Sequence, residues 1–228
     1  MDITYGIDNI FPVPIHTIGI NNFSQLQTKL IKLAYRERDK NQGRTASNVG
    51  GFQSTPFLLR DRNDVLSQTL SNIVTNLPCF KKSIKFNVSA WVNINKSGDS
   101  NQNHNHPATN LAGVLWIKIP KNSGNIKLLS PYNFTSYGEL LSYTDEFQKQ
   151  TNYYYDYKYE PREGSMIIFP AHLTHKVEEN KSNEDRISVS FNIDLLNFLE
   201  CKSFRYYIPL YGLFGRYYKF LEGMVQRS

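Results

Sequence analysis

After Cys79 the hydrophobic repeat of the chain switches from helical to extended, and that switch limits the available folds more than any other feature. Ile84, Phe86, Val88, Ala90, Val92 and Ile94 alternate with Lys85, Asn87, Ser89, Trp91 and Asn93. A period of two over this length is a long strand with one face on a core. Upstream the period is helical. Phe23, Leu26, Leu30 and Leu33 mark one face of a helix over about Asn22 to Arg38; Leu66, Leu70, Ile73 and Leu77 mark a second, with Asp61 or Asp64 as N-cap and Pro78 as stop. Two helices followed by strands predict an α+β chain, mainly β, with the N-terminal helices packed on a sheet.

Further strands follow from pattern and punctuation. Ile3 to Ile20 is β-like but broken by Pro12 and Pro14, which suits an edge. Asn41 to Pro56 reads as a surface loop. Leu111 to Pro120 and Asn125 to Leu129 read as strands of one hairpin, turning at Gly124. Ser130 to Tyr159 is polar and tyrosine-rich with weak periodicity, so it reads as a long loop or lid. Strands resume at Ser165 to Phe169, near Lys176 to Glu178, and at Arg186 to Leu195. One domain over 1–195 and an aromatic extension over 196–228, placed to cover the barrel or to join two copies, account for the whole length.

Composition narrows the function classes. With 40% hydrophobic and 20% charged residues the chain has enough apolar content to fold. The formal charge of +6 is scattered, with no run of five basic residues, and argues against nucleic acid as the partner. Cys79 and Cys201 have no neighbour at metal-ligand or redox spacing and read as packing residues in a reducing compartment. The start Met1-Asp2-Ile3-Thr4-Tyr5-Gly6 lacks the features of a signal peptide, and no stretch reaches the roughly 18 apolar residues of a membrane span, so a cytoplasmic location is expected.

Chemistry concentrates in the histidines. Four of the five fall in two clusters, His104-Asn105-His106-Pro107 and His172-Leu173-Thr174-His175. On an extended segment His104 and His106, at i and i+2, point the same way and can reach one ion, with a third ligand from a neighbouring strand. Solvated loop histidines would have the same spacing. From Arg186 the last strand carries Arg186, Ser188, Ser190 and Asn192 on one face and Ile187, Val189, Phe191 and Ile193 on the other. The polar face suits a surface strand, but a planar guanidinium with a hydroxyl two residues on also suits a carboxylate held in fixed orientation. His172 reads as a surface or supporting residue and His16 as structural. Trp91 and Asn93 share a face of the long strand and suit either a pocket wall or packing.

Several stretches together resemble the 2-oxoglutarate/Fe(II)-dependent oxygenases of phage and bacterial genomes, which are distantly like prolyl hydroxylases. They are Phe11-Pro12-Val13-Pro14, Gly50-Gly51-Phe52-Gln53-Ser54, Trp91-Val92-Asn93-Ile94, His104-Asn105-His106-Pro107, Ala112-Gly113-Val114, Gly164-Ser165-Met166-Ile167-Ile168-Phe169-Pro170 and Arg186-Ile187-Ser188-Val189-Ser190-Phe191-Asn192. The resemblance covers roughly Phe11 to Ile193. It implies a double-stranded β-helix, a jelly-roll or cupin-like barrel, and a dioxygenase that hydroxylates a protein side chain or small molecule, in the host cytoplasm if phage-encoded. By position it implies Fe(II) on His104, His106 and His175, and 2-oxoglutarate on Arg186 and Ser188 with Asn93; dioxygen and an unidentified substrate complete the reaction. His106 stands where the family usually has a carboxylate, a place Asp99 is the other candidate to fill. Two rival readings stay open: a three-histidine zinc hydrolase with Arg186 on an anionic substrate, and a non-enzymatic jelly-roll binding or structural protein.

Overall fold

The protein is described from a computed structural model over residues 4–132 and 137–196. The chain enters through β1 (His16–Gly19) and α1 (Phe23–Lys40), then crosses three two-residue strands, β2 (Asn48–Val49), β3 (Phe52–Gln53) and β4 (Phe57–Leu58), to α2 (Val65–Thr75). Of the two candidate caps, Asp64 serves α2: its side chain accepts from the Ser67 N–H at 2.9 Å, worth about 1 kcal/mol. The long alternating segment is β5 (Phe86–Asn95), followed by β6 (Ser100–His104), β7 (Leu111–Lys118) and β8 (Ile126–Leu129). After α3 (Tyr137–Leu141) and α4 (Asp145–Thr151) come β9 (Asp156–Tyr159), β10 (Ser165–Pro170), β11 (His175–Val177) and β12 (Arg186–Leu195).

Two antiparallel sheets take these strands. The major sheet runs β1-β10-β7-β12-β5-β3, with β4 also on β5, and the minor sheet runs β2-β6-β11-β8-β9. Alternation decides what each face of the major sheet meets. Val92 and Ile94 of β5, Leu115 of β7, Met166 and Ile168 of β10, and Ile187, Val189 and Phe191 of β12 pack with Leu30, Leu33, Leu66 and Leu70 of the two helices. The alternate residues face the other way: Ala112, Val114 and Trp116 with Ile167 and Phe169 form a second cluster with Ile126 and Leu128 of the minor sheet. Packing is tight enough that a Cβ on Gly113 would collide with the Phe191 ring, so β7 needs glycine there.

Three sequence expectations are corrected. The segments 111–120 and 125–129 do not form a hairpin: β7 pairs with β10 and β12, whereas β8 pairs with β11 and β9. Gly124, at φ 84°, instead helps carry the chain from one sheet to the other, packed where a Cβ would meet the Glu178 carbonyl. The tyrosine-rich region is not one loop, because it holds α3, α4 and the edge strand β9. Cys79 is exposed and does not pack. Cys201 and the aromatic extension, apart from Leu196, lie outside the described residues. Among those residues no helix is long and apolar enough to cross a membrane.

Candidate metal and carboxylate site

The site forms where the two sheets face each other, and strand register builds its metal half. β6 and β11 run antiparallel with His104 directly opposite His175. His106 lies beyond the end of β6, its own N–H donating to the Ala171 carbonyl at 2.9 Å, which keeps it beside the turn that leads into β11. The ring centroids of His104 and His175 are 4.2 Å apart, those of His104 and His106 5.3 Å, and those of His106 and His175 5.2 Å. One nitrogen from each ring lies within 4.8 Å of the others.

Local contacts aim the rings. His104 Nδ1 is 2.7 Å from the Gln102 carbonyl and His175 Nδ1 is 2.9 Å from the Leu173 carbonyl. Each Nδ1–H therefore donates to a carbonyl two residues back, which fixes the tautomer and leaves the Nε2 lone pair for an ion. His106 is held differently, stacked on Trp91 at 5.7 Å between centroids. Burial pushes all three imidazoles below the usual range. His175 falls to about 3 from burial and then from the nearby His104; His106 falls to about 4 for the same reasons, with Asn192 pulling the other way. His104 is lowered by burial, against the pull of the Gln102 carbonyl. At neutral pH all three are uncharged donors.

The other half of the candidate site is on the major sheet. β12 runs between β5 and β7, so the polar face read from Arg186, Ser188, Ser190 and Asn192 turns to the interior, with Arg186 opposite Asn95 and Ser188 opposite both Asn93 and Trp116. Arg186 is 2% exposed and its Nε has no hydrogen-bond partner among the described residues. Burial lowers its pKa to about 10, so it stays charged at neutral pH, and no acidic group among the described residues offsets that burial. A buried cation without a counter-ion is costly and calls for an anion. Asn93 donates from Nδ2 to Ser190 Oγ at 3.0 Å.

All six residues singled out in the sequence line one cavity: His104 and His175 from the minor sheet, His106 from just past β6, and Asn93, Arg186 and Ser188 from the major sheet. His172 is exposed and outside it. Asp99 is not part of the histidine group; its Oδ2 accepts from the Lys96 N–H at 2.6 Å and closes a turn. A second cavity, of about 510 Å³, opens beside His104 and His106, walled by Arg44, Gln53, Trp91, Asn103, Asn105 and Asn192. Neither Gln53 nor Trp116 stands out in the sequence as a site residue. Gln53 sits in a segment that reads as loop and Trp116 in an apolar run, where a tryptophan looks like any core residue.

The donor set fits a divalent first-row ion, since imidazole suits iron and zinc alike and three ligands leave positions open. Arg186, a buried cation with no acidic partner among the described residues, lines the same cavity as the three imidazoles and suits an anionic ligand. Residues 89–192 match the model of a protein family described as "Putative 2OG-Fe(II) oxygenase". Among solved structures the chain is similar to a Pseudomonas putida prolyl-4-hydroxylase, with TM-score 0.55 and 11% identity over 80% of this chain and 92% of that one. It is also similar to SnoK, a non-heme alpha ketoglutarate dependent carbocyclase from nogalamycin biosynthesis, with TM-score 0.54 and 12% identity over 88% and 90%. A Trichoplax adhaerens prolyl hydroxylase, solved with a peptide of hypoxia inducible factor, gives TM-score 0.50 and 12% identity over 79% and 83%. At such identities the likeness establishes the fold, a double-stranded β-helix. No curated protein matches the chain.

Proposed function

As residues 89–192 belong to the family of 2-oxoglutarate/Fe(II)-dependent oxygenases, we propose that the chain hydroxylates a protein side chain or small molecule with Fe(II) on His104, His106 and His175 and 2-oxoglutarate on Arg186, Ser188 and Asn93. The observation that carries the assignment is the unpaired, buried Arg186 in the same cavity as three neutral, converging imidazoles.

Bound Fe(II) with 2-oxoglutarate supplies the oxidising chemistry: one oxygen atom of O₂ enters the substrate as hydroxyl, the other enters succinate, and CO₂ leaves. The protein's share is positional. Arg186 and Ser188 hold the far carboxylate, and the dicarboxylate gains a strong interaction because the guanidinium it meets is already desolvated. Carbonyls of Gln102 and Leu173 keep two imidazoles in the ligating tautomer. Trp91 buttresses the third. Val114, Ile126 and Phe169 give the same cavity an apolar wall.

The 510 Å³ cavity is the route to the reacting centre, because His104 and His106 form part of its wall. A larger groove of about 600 Å³, lined by Tyr132, Tyr153, Tyr157 and Tyr159 with Val13 and Leu173, is touched by no imidazole. It provides remote binding surface for a substrate, consistent with specificity carried by the 130–159 region. A cytoplasmic setting, host cytoplasm for a phage-encoded chain, belongs to the same reading, as does pairing of two copies through 196–228. Sedimentation of a chain truncated after residue 197 tests the pairing: an unchanged mass removes it.

The function is tested by anaerobic titration of the metal-free protein with Fe(II) and 2-oxoglutarate. A visible charge-transfer band in the wild type that weakens in Arg186→Ala is the expected result. Tight metal binding without a band would point to the hydrolytic reading, and no metal binding would leave only the fold.

A further inference from the structure

Trp116 presents a difficulty that packing alone does not resolve. It lies on β7 with its ring on the interior side, among Ala112, Val114, Ile126, Ile167 and Phe169, and is 2% exposed. Its indole Nε1 is buried with no hydrogen-bond partner among the described residues. A buried donor left unmade is a standing penalty, and a phenylalanine would fill an apolar wall without it. Tryptophan N–H groups usually find an acceptor when buried.

Strand register shows where the acceptor belongs. Trp116 is directly opposite Ser188 across the β7–β12 ladder, so both side chains emerge on the same face, and both line the cavity that holds Arg186 and the three histidines. Two of the polar groups in that cavity, Arg186 Nε and Trp116 Nε1, are donors without an acceptor. An ionised carboxylate offers about four acceptor positions and no donor. One guanidinium, one hydroxyl and one indole N–H fit within that number.

We propose that Trp116 donates its indole N–H to the distal carboxylate of 2-oxoglutarate, as a third positioning group beside Arg186 and Ser188. The inference rests on the function proposed above. It adds a neutral donor from a different strand, so the carboxylate is fixed from β7 as well as β12 and cannot pivot about the arginine. The consequence is selectivity for a cosubstrate with a second carboxylate at the right reach, over a keto acid that lacks one.

The test uses the Zn(II)-loaded protein, which binds without turning over. Calorimetric titration with 2-oxoglutarate and with pyruvate, which has the same keto-acid end and no distal carboxylate, is compared for wild type, Arg186→Ala and Trp116→Phe. Trp116→Phe is expected to weaken 2-oxoglutarate roughly tenfold, as for a lost hydrogen bond to a charged acceptor, and to leave pyruvate unchanged. A residue that only packed would affect both ligands alike. Should Trp116→Phe fail to fold, the wild-type protein still decides. It contains two tryptophans, hence two indole N–H resonances, which a Trp91→Phe variant assigns. The Trp116 resonance is expected to move with 2-oxoglutarate and to stay with pyruvate. An unmoved resonance, or equal 2-oxoglutarate affinity in folded Trp116→Phe, overturns the inference while the proposed function stands. Full 2-oxoglutarate affinity in Arg186→Ala instead overturns the function on which it rests.

Discussion

Replacing Arg186 by methionine should make the metal-free protein more stable and at the same time unable to hold 2-oxoglutarate. Among the described residues the buried guanidinium has no acidic partner, and burial lowers its pKa to about 10 from an ordinary 12.5. At about 1.4 kcal/mol per pH unit that fall corresponds to roughly 3 kcal/mol against the charged form in the fold. Methionine has a similar length, no charge and enough flexibility to fill the space, and exchanging buried ionic groups for apolar ones typically gains about 1–4 kcal/mol. For a domain of this size roughly 3 kcal/mol is a rise in midpoint of about 6–12 °C. Thermal unfolding of metal-free wild type and Arg186→Met gives the first number. Repeating both scans with Zn(II) and 2-oxoglutarate gives the second: the ligand pair should raise the wild-type midpoint by mass action and add little to the variant beyond the metal's own effect. A variant less stable than wild type would refute the reasoning, because it would mean that the guanidinium is already satisfied inside the fold and is not held ready for a ligand.

Other expectations follow from the same geometry. Between pH 6.5 and about 4 the unfolded chain takes up protons that the buried imidazoles refuse. Stability of the metal-free protein should therefore fall with pH in that window and be unaffected by these groups above it. The buried His175 contributes up to about 1.4 kcal/mol per pH unit, so the pH slope of urea midpoints should flatten in His175→Phe; equal slopes would contradict the burial. His106→Asp should raise Mn(II) affinity in the absence of 2-oxoglutarate by roughly tenfold, since a carboxylate neutralises part of the ion's charge, and should weaken the help each ligand gives the other. Calorimetry with and without 2-oxoglutarate checks both, and an unchanged Mn(II) affinity would place His106 outside the metal site. Replacing 137–151 by a short linker, with β9 retained, should spare substrate-free turnover of 2-oxoglutarate to succinate. Loss of that turnover in a folded variant would make the segment part of the core site.

Helix faces, the period-two strands and the His-x-His pair are properties of residues close together in the chain, and for that reason they are legible in the sequence alone. α2 begins at one of the two caps expected, β5 and β12 lie where alternation puts them, and β10 covers the strand expected at Ser165 to Phe169. The i and i+2 spacing marks His104 and His106 as a candidate pair, but the contacts that bring His106 to the others, with the Ala171 carbonyl and Trp91, come from distant parts of the chain. Family resemblance adds 2-oxoglutarate as the expected partner of Arg186 and Ser188, and His175 as the expected third ligand.

Strand pairing is not legible in this way, because a hydrogen-bonded ladder joins residues far apart and leaves no local mark. Leu111–Lys118 and Ile126–Leu129 are neighbours in sequence and members of different sheets. The polar face of β12 has the same alternation whether it meets water or a cavity; only its place between β5 and β7, beneath a second sheet, makes Arg186 a buried charge in need of an anion. Trp116 shows the same limit from the apolar side. Its residue type calls for burial, but whether its N–H finds a partner depends on the strands beside it. The sequence determined which groups are available and which way each strand alternates, whereas the tertiary structure decided which of them share an enclosed space, because desolvation and hydrogen-bond satisfaction are properties of the assembled interior.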